Sequence, residues 1–96
     1  MKRTRYLVCY DIRDPKRLRK IAQIVSAFGY RLQFSIFECA LDNQRLQQLR
    51  CAIDPEIKHD EDQIMFVSLG ESSNNEGLRI DTMGLPYAKK TKITII

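Results

Sequence analysis

The residues best equipped for chemistry lie close together near the start of the chain. An apolar run, Tyr6-Leu7-Val8-Cys9-Tyr10, ends on Asp11, and Arg13, Lys16, Arg17, Arg19 and Lys20 follow within eight positions. Five cations on so short a stretch suit a polyanion, because each can neutralise one phosphate and release a counterion. Asp11 is harder to place. A carboxylate at a strand end ordinarily hydrogen-bonds the turn that follows it, and one carboxylate is a poor site for Mg2+, which demands octahedral oxygen ligation. No histidine is placed as a general base. His59 sits in the acidic stretch PEIKHDED and reads as an exposed loop residue, and no glycine-rich phosphate loop is present. Cys9, Cys39 and Cys51 are odd in number and form no Cys-x-x-Cys, which suits reduced, packed thiols rather than a disulfide framework or a zinc site.

Charge is divided along the chain. The net charge is +4, yet residues 1–31 hold nine Lys/Arg against two Asp, residues 38–76 hold three Lys/Arg against nine Asp/Glu, and residues 77–96 hold four basic against one acidic. One basic and one acidic surface follow. With a pI near 9.1 and no apolar stripe accompanying the basic run, the expected partner is nucleic acid rather than a membrane surface, although a merely solvated helix face has the same composition. No apolar run approaches the roughly 20 residues of a membrane span. MKRTR leads into Asp11 and Arg13 rather than an apolar signal core, so a cytoplasmic location is expected. Ninety-six residues predict a single domain, 1–96, small enough for oligomerisation to add useful burial.

The elements that must hold these residues follow from periodicity. Residues 5–11 are short and rich in strand formers. Asp14 is suited to cap a helix that begins at Pro15, with Leu18, Ile21, Ala22, Val25 and Phe28 at three- and four-residue spacing and Gly29 as its end. Residues 31–39 alternate, with Leu32, Phe34 and Ile36 on one side and Arg31, Gln33, Ser35 and Phe37 on the other, and so predict one strand. Asp42 or Asn43 caps a second helix with Leu46, Leu49 and Ile53 on one stripe, closed by Asp54-Pro55. Strands at 63–69 and 78–83, a polar turn at 70–77 and a terminal strand, ITII, complete the chain.

Two helices against one sheet make a two-layer α+β sandwich, and the ferredoxin-like order becomes available if the second strand is part of a hairpin. The sheet's uncovered face is predicted to carry Tyr6, Val8, Tyr10, Phe37 and Met65. That set is too apolar for bare water, so a sheet-to-sheet homodimer is expected.

The stretch YLVCYDIRDPKRLRKIAQIVSAFGYRLQFSIFECAL closely resembles the N-terminal half of the CRISPR-associated protein 2 family, small spacer-acquisition proteins of an antiviral defence system. The shared features are a strand ending Tyr-Asp-Ile, a downstream Asp, a basic helix start, a Gly before the second strand and a Gln-x-Ser-x-Phe-Glu stretch. The resemblance is strong over residues 5–53 and weaker beyond. It implies a ferredoxin-like homodimer with a short extra C-terminal strand that is commonly added to the partner's sheet. It also implies one of two activities, Mg2+-dependent endonuclease cleavage of RNA or DNA, or a structural bridge between integrase dimers on duplex DNA. On this resemblance Asp11 is the catalytic and metal-binding residue, facing its copy across the dimer axis. It implies Arg17, Arg19 and Arg31 as nucleic-acid contacts, to which the basic run adds Arg13, Lys16 and Lys20, and it places Tyr10, Ser35 and Phe37 by the cleft, Phe37 being read more readily as an interface aromatic. The chain departs from the family at Gln63, Met65 and Phe66, where a basic residue and an aromatic are common. A ferredoxin-like ligand-binding regulator is the weakest alternative.

Overall fold

A computed structural model describes residues 2–70 and 79–86. Its strands are β1 (Thr4–Asp11), β2 (Tyr30–Gln33), β3 (Ile36–Leu41), β4 (Gln63–Ser68) and β5 (Arg79–Gly84); its helices are α1 (Pro15–Ser26) and α2 (Asn43–Ile53), the latter running into a 3-10 turn at Asp54–Glu56. All strand pairs are antiparallel, in the order β2-β3-β1-β4-β5. The first six elements run β-α-β-β-α-β, the ferredoxin-like arrangement, and β5 extends the sheet beyond β4.

Local chemistry accounts for both helices. The Asp14 carboxylate accepts the N–H groups of Lys16 and Arg17 at 2.9 and 3.0 Å, satisfying donors that have no partner within the first turn, and Pro15 supplies the helical φ at no hydrogen-bond cost. Asp42 does the same for α2 through the Arg45 N–H at 2.8 Å. Ile21 and Val25 of α1 and Leu49 and Ile53 of α2 enter one core with Val8, Tyr10, Phe37, Cys39, Leu41, Ile64 and Phe66. Each such side chain contributes roughly 1.5–3 kcal/mol by leaving water, and the two helices together cover one sheet face. Helix α1 ends earlier than its apolar spacing predicts, with Ala27 as C-cap. Gly29 then lets the chain pass tightly over β3, since a Cβ there would lie 2.2 Å from the Glu38 carbonyl oxygen.

Two expectations are corrected. The single strand over residues 31–39 is a hairpin, β2-turn-β3, in which the register shifts between Arg31 and Gln33. Phe37, Cys39 and Leu41 of β3 fill the space under the helices, whereas Leu32 and Phe34 remain 49% and 89% exposed, so the apolar alternation across the turn joins side chains of two different strands. The turn carries no Gly, Pro or Asn to announce it. The second correction concerns the sheet faces. Val8, Tyr10 and Phe37 are 0%, 5% and 2% exposed and point toward the helices, with Tyr6 packed against the same core. The face without helices carries Leu7, Cys9, Ile36, Met65, Val67 and Ile80, as the pairs Cys9↔Ile36, Cys9↔Met65, Leu7↔Val67 and Val67↔Ile80 require. Met65 alone of the expected set lies there. The polar turn at 70–77, except Gly70, and the terminal ITII fall outside the described residues.

Candidate functional site

Antiparallel pairing brings several chain segments to one end of the sheet. Asp11 closes β1 there, opposite Gln63 at the start of β4, and Gln63 in turn faces Gly84 at the end of β5. The β2–β3 turn, the start of α1 and the loop 58–62 meet at the same end. Asp11 is exposed and lies on the sheet face opposite Tyr10. Its carboxylate offers hard oxygens to a divalent ion, but among the described residues no group of three or more His, Cys, Asp or Glu converges on it or anywhere else.

The most elaborate polar structure here centres on a residue that periodicity gave no reason to single out. Asp62 is fully buried, yet every lone-pair direction of its carboxylate is used. Oδ1 accepts the Arg13 N–H at 3.0 Å and Arg17 Nη2 at 3.1 Å; Oδ2 accepts Arg17 Nε at 2.8 Å and the Lys58 N–H at 2.8 Å. Burial pushes this carboxyl's pKa up, but the Arg17 guanidinium and the two backbone N–H groups outweigh it and hold the pKa at about 2. Arg17 also donates to Glu61 at 3.1 Å, and Glu61 accepts Lys58 Nζ at 3.2 Å; those two donors, Lys58 first, lower the Glu61 pKa. Asp62 therefore ties the loop to the start of α1 and to the backbone two residues after Asp11. Its backbone carbonyl accepts the Leu85 N–H at 2.7 Å, which adds the end of β5 to the junction. In the sequence it is one of four consecutive residues of which three are acidic, and its only distinguishing sign is its place directly before an apolar strand.

Of the expected nucleic-acid contacts, Arg17 is the one engaged by this clamp: its guanidinium is bound to two carboxylates, and its side chain is 25% exposed. Arg13, Lys16, Arg19, Lys20 and Arg31 are exposed, and none makes an ion pair among the described residues. Arg19, Gln23 and Ser26 of α1 and Tyr30 and Arg31 of β2 line a groove of about 650 Å3, with Phe37 at its base. Arg31 lies 5.3 Å from the centre of the Phe37 ring.

Tyr10 is a core residue, and Phe37 is both a core residue and the base of that groove. Their rings stack with centroids 6.2 Å apart, and the Tyr10 hydroxyl donates to the Phe34 carbonyl at 3.2 Å. Ser35 is half-buried, and its carbonyl accepts the Tyr10 N–H at 3.1 Å. His59 is exposed and pairs with Asp54 at 3.0 Å. The three cysteines are free: Cys39 is buried, which together with Glu38 pushes its pKa up to about 11, Cys9 is half-buried and Cys51 is exposed rather than packed.

Comparison with known proteins agrees with this architecture. The family model described as CRISPR associated protein Cas2 matches residues 4–76. A CRISPR-associated endoribonuclease Cas2 of Geobacter sulfurreducens is 38% identical over 69 residues, 72% of this chain and 73% of its own length. CRISPR-associated endoribonuclease Cas2 3 of Synechocystis is 30% identical over 91 residues, 95% of this chain and 96% of its own. The crystal structure of Streptococcus pyogenes Cas2 superposes with a TM-score of 0.65 at 32% identity, covering 71% of this chain and 88% of that one. No helix among the described residues is long and apolar enough to cross a membrane.

Proposed function

Because the chain belongs to the CRISPR associated protein Cas2 family, we propose that it works in CRISPR adaptation as a homodimer that binds nucleic acid and cleaves phosphodiesters of RNA or DNA at Asp11. The observation that carries this reading is the position of Asp11. It is an exposed carboxylate on the helix-free face, at the end of the sheet where Arg13 and Lys16 also lie. Its relatives' names, CRISPR-associated endoribonuclease Cas2, support the same chemistry.

The dimer is what makes a metal position plausible in chemical terms. One Asp11 supplies a single hard ligand, and two copies facing one another supply two ligands and the charge that Mg2+ needs while it keeps several waters. The apolar strip Leu7, Cys9, Ile36, Met65 and Val67 beside Asp11 supports pairing through the helix-free face, since its burial against a second sheet removes it from water. When bound, Mg2+ would acidify a water and neutralise charge on a scissile phosphate. The chain's own part is to hold Asp11 through the anchored turn after it and to hold the backbone of the nucleic acid on Arg13, Lys16, Arg19, Lys20 and Arg31.

A second reading draws on the exposed cations Arg13, Lys16, Arg19, Lys20 and Arg31, which suit backbone binding without any chemistry: a non-catalytic adaptor that binds duplex DNA and bridges integrase dimers. Asp11→Asn separates the two, because it keeps shape and removes charge. Cleavage should fall by roughly a thousandfold or more if Asp11 holds the metal, with duplex affinity nearly unchanged. In the adaptor reading the variant leaves spacer acquisition in cells intact. Cutting at the wild-type rate by Asp11→Asn would remove Asp11 from the catalytic role.

A further inference from the structure

We propose that the β2–β3 turn is a seat for one unstacked nucleotide, with the base on the Phe34 ring and its phosphate on the Arg31 guanidinium. The inference rests on the nucleic-acid reading above and adds to it a site outside the Asp11 position.

Phe34 is 89% exposed, the most exposed of the large apolar side chains among the described residues, at a place where water contact gains the fold nothing. It is nevertheless held firmly. The Tyr10 hydroxyl binds the Phe34 carbonyl and the Tyr10 N–H binds the Ser35 carbonyl, while Tyr10 itself is buried and stacked on Phe37. The turn is therefore fixed to the residue directly before Asp11, and the ring is presented on a backbone that is already ordered. Arg31, Leu32, Gln33, Phe34 and Ser35 line a groove of about 560 Å3 here, and no carboxylate is among them. Arg31 is oriented by the Phe37 ring beneath it and makes no ion pair among the described residues.

An aromatic on an ordered backbone, sharing a groove with a guanidinium that makes no ion pair among the described residues, has the two features that hold a single-stranded nucleotide: a stacking surface for any base and a cation for its phosphate. An added peptide strand is the poorer occupant. The register shift between Arg31 and Gln33 interrupts the regular edge that strand addition needs.

The test uses the full chain, a short single-stranded oligonucleotide carrying 2-aminopurine, and a fully paired duplex of equal length. Wild type should quench the 2-aminopurine on binding. Phe34→Ala should bind the single strand about tenfold more weakly, Phe34→Trp should restore it, and duplex affinity should change less than about twofold. The side chain is in water, so circular dichroism of Phe34→Ala should match wild type. Equal single-strand affinity for wild type and Phe34→Ala overturns the seat. So does a loss accompanied by a lower particle mass in light scattering, which would make Phe34 a contact between copies of the chain. Wild type that binds the duplex but not the single strand also overturns it and leaves the phosphate-binding reading standing, whereas failure to bind either probe removes that reading as well.

Discussion

Replacing Asp62 with Asn should destabilise the fold by about 3 kcal/mol at neutral pH, and by progressively less in acid. The magnitude comes from the junction it holds. Its carboxylate is fully buried and accepts four hydrogen bonds, from Arg13 N, Lys58 N and two guanidinium nitrogens of Arg17. An amide of the same shape keeps one acceptor oxygen and turns an NH2 group toward two donors, whichever way it is flipped. Arg17 also loses its buried counter-charge and keeps only Glu61. Because the carboxyl is held at about 2 in the folded chain, below its unfolded value, the folded state binds fewer protons than the unfolded one between those two values. The stability that Asp62 contributes is thus complete above about pH 4 and disappears as pH falls toward about 2, where the protonated acid resembles Asn. Urea unfolding followed by circular dichroism, from about pH 7 to about pH 3, measures both the difference and its slope, and thermal unfolding should show a Tm lower by roughly 15 °C. A difference under about 1 kcal/mol at neutral pH, or one that does not shrink in acid, would refute the reasoning.

Phe37→Ala should cost about 3–5 kcal/mol in urea unfolding, since the ring is 2% exposed and supports both Tyr10 and Arg31; a surface-like loss would contradict its place in the core. Gly84→Ala should lower stability by more than about 1 kcal/mol, because Gly84 has φ +86° and a Cβ there would sit 2.0 Å from the Asp62 carbonyl oxygen; a neutral effect would show that the β5 end does not pack as described. Duplex binding that engages about six phosphates should give log K against log salt a slope near about −5, and Arg19→Gln with Arg31→Gln, which removes both cations from each protomer of the dimer, should make it shallower by roughly 3 to 4 if each copy contacts one phosphate. Salt-independent affinity would argue against a phosphate surface on α1 and β2.

Periodicity and capping were enough to locate both helices, because the signals are local: Asp14 and Asp42 precede their helices by one residue, and the apolar stripes repeat within a few turns. The strands at 5–11 and 63–69 were legible for the same reason, and the resemblance carried by YLVCYDIRDPKRLRKIA and its continuation pointed to the ferredoxin-like order and the family. The hairpin was not legible. Its turn lacks Gly, Pro and Asn, and alternation of apolar residues continues across it, so period alone joined β2 to β3.

Which face of β1 meets the helices was undetermined by alternation, since Tyr6, Val8 and Tyr10 on one side and Leu7 and Cys9 on the other are both apolar. Placement of α1 and α2 over the first set decided it and left the second as the open face. Likewise Arg17 among five neighbouring cations, and Asp62 among three neighbouring acids, carry no sequence mark that distinguishes them. The partner of a charged side chain depends on which distant segments the sheet order brings within 3 Å, and Arg17 and Asp62 are 45 positions apart. Residue type alone supplied the cations, the acids and Asp11; the antiparallel pairing of β1 with β4 then selected one of each for a partly buried pair and left the others at the surface.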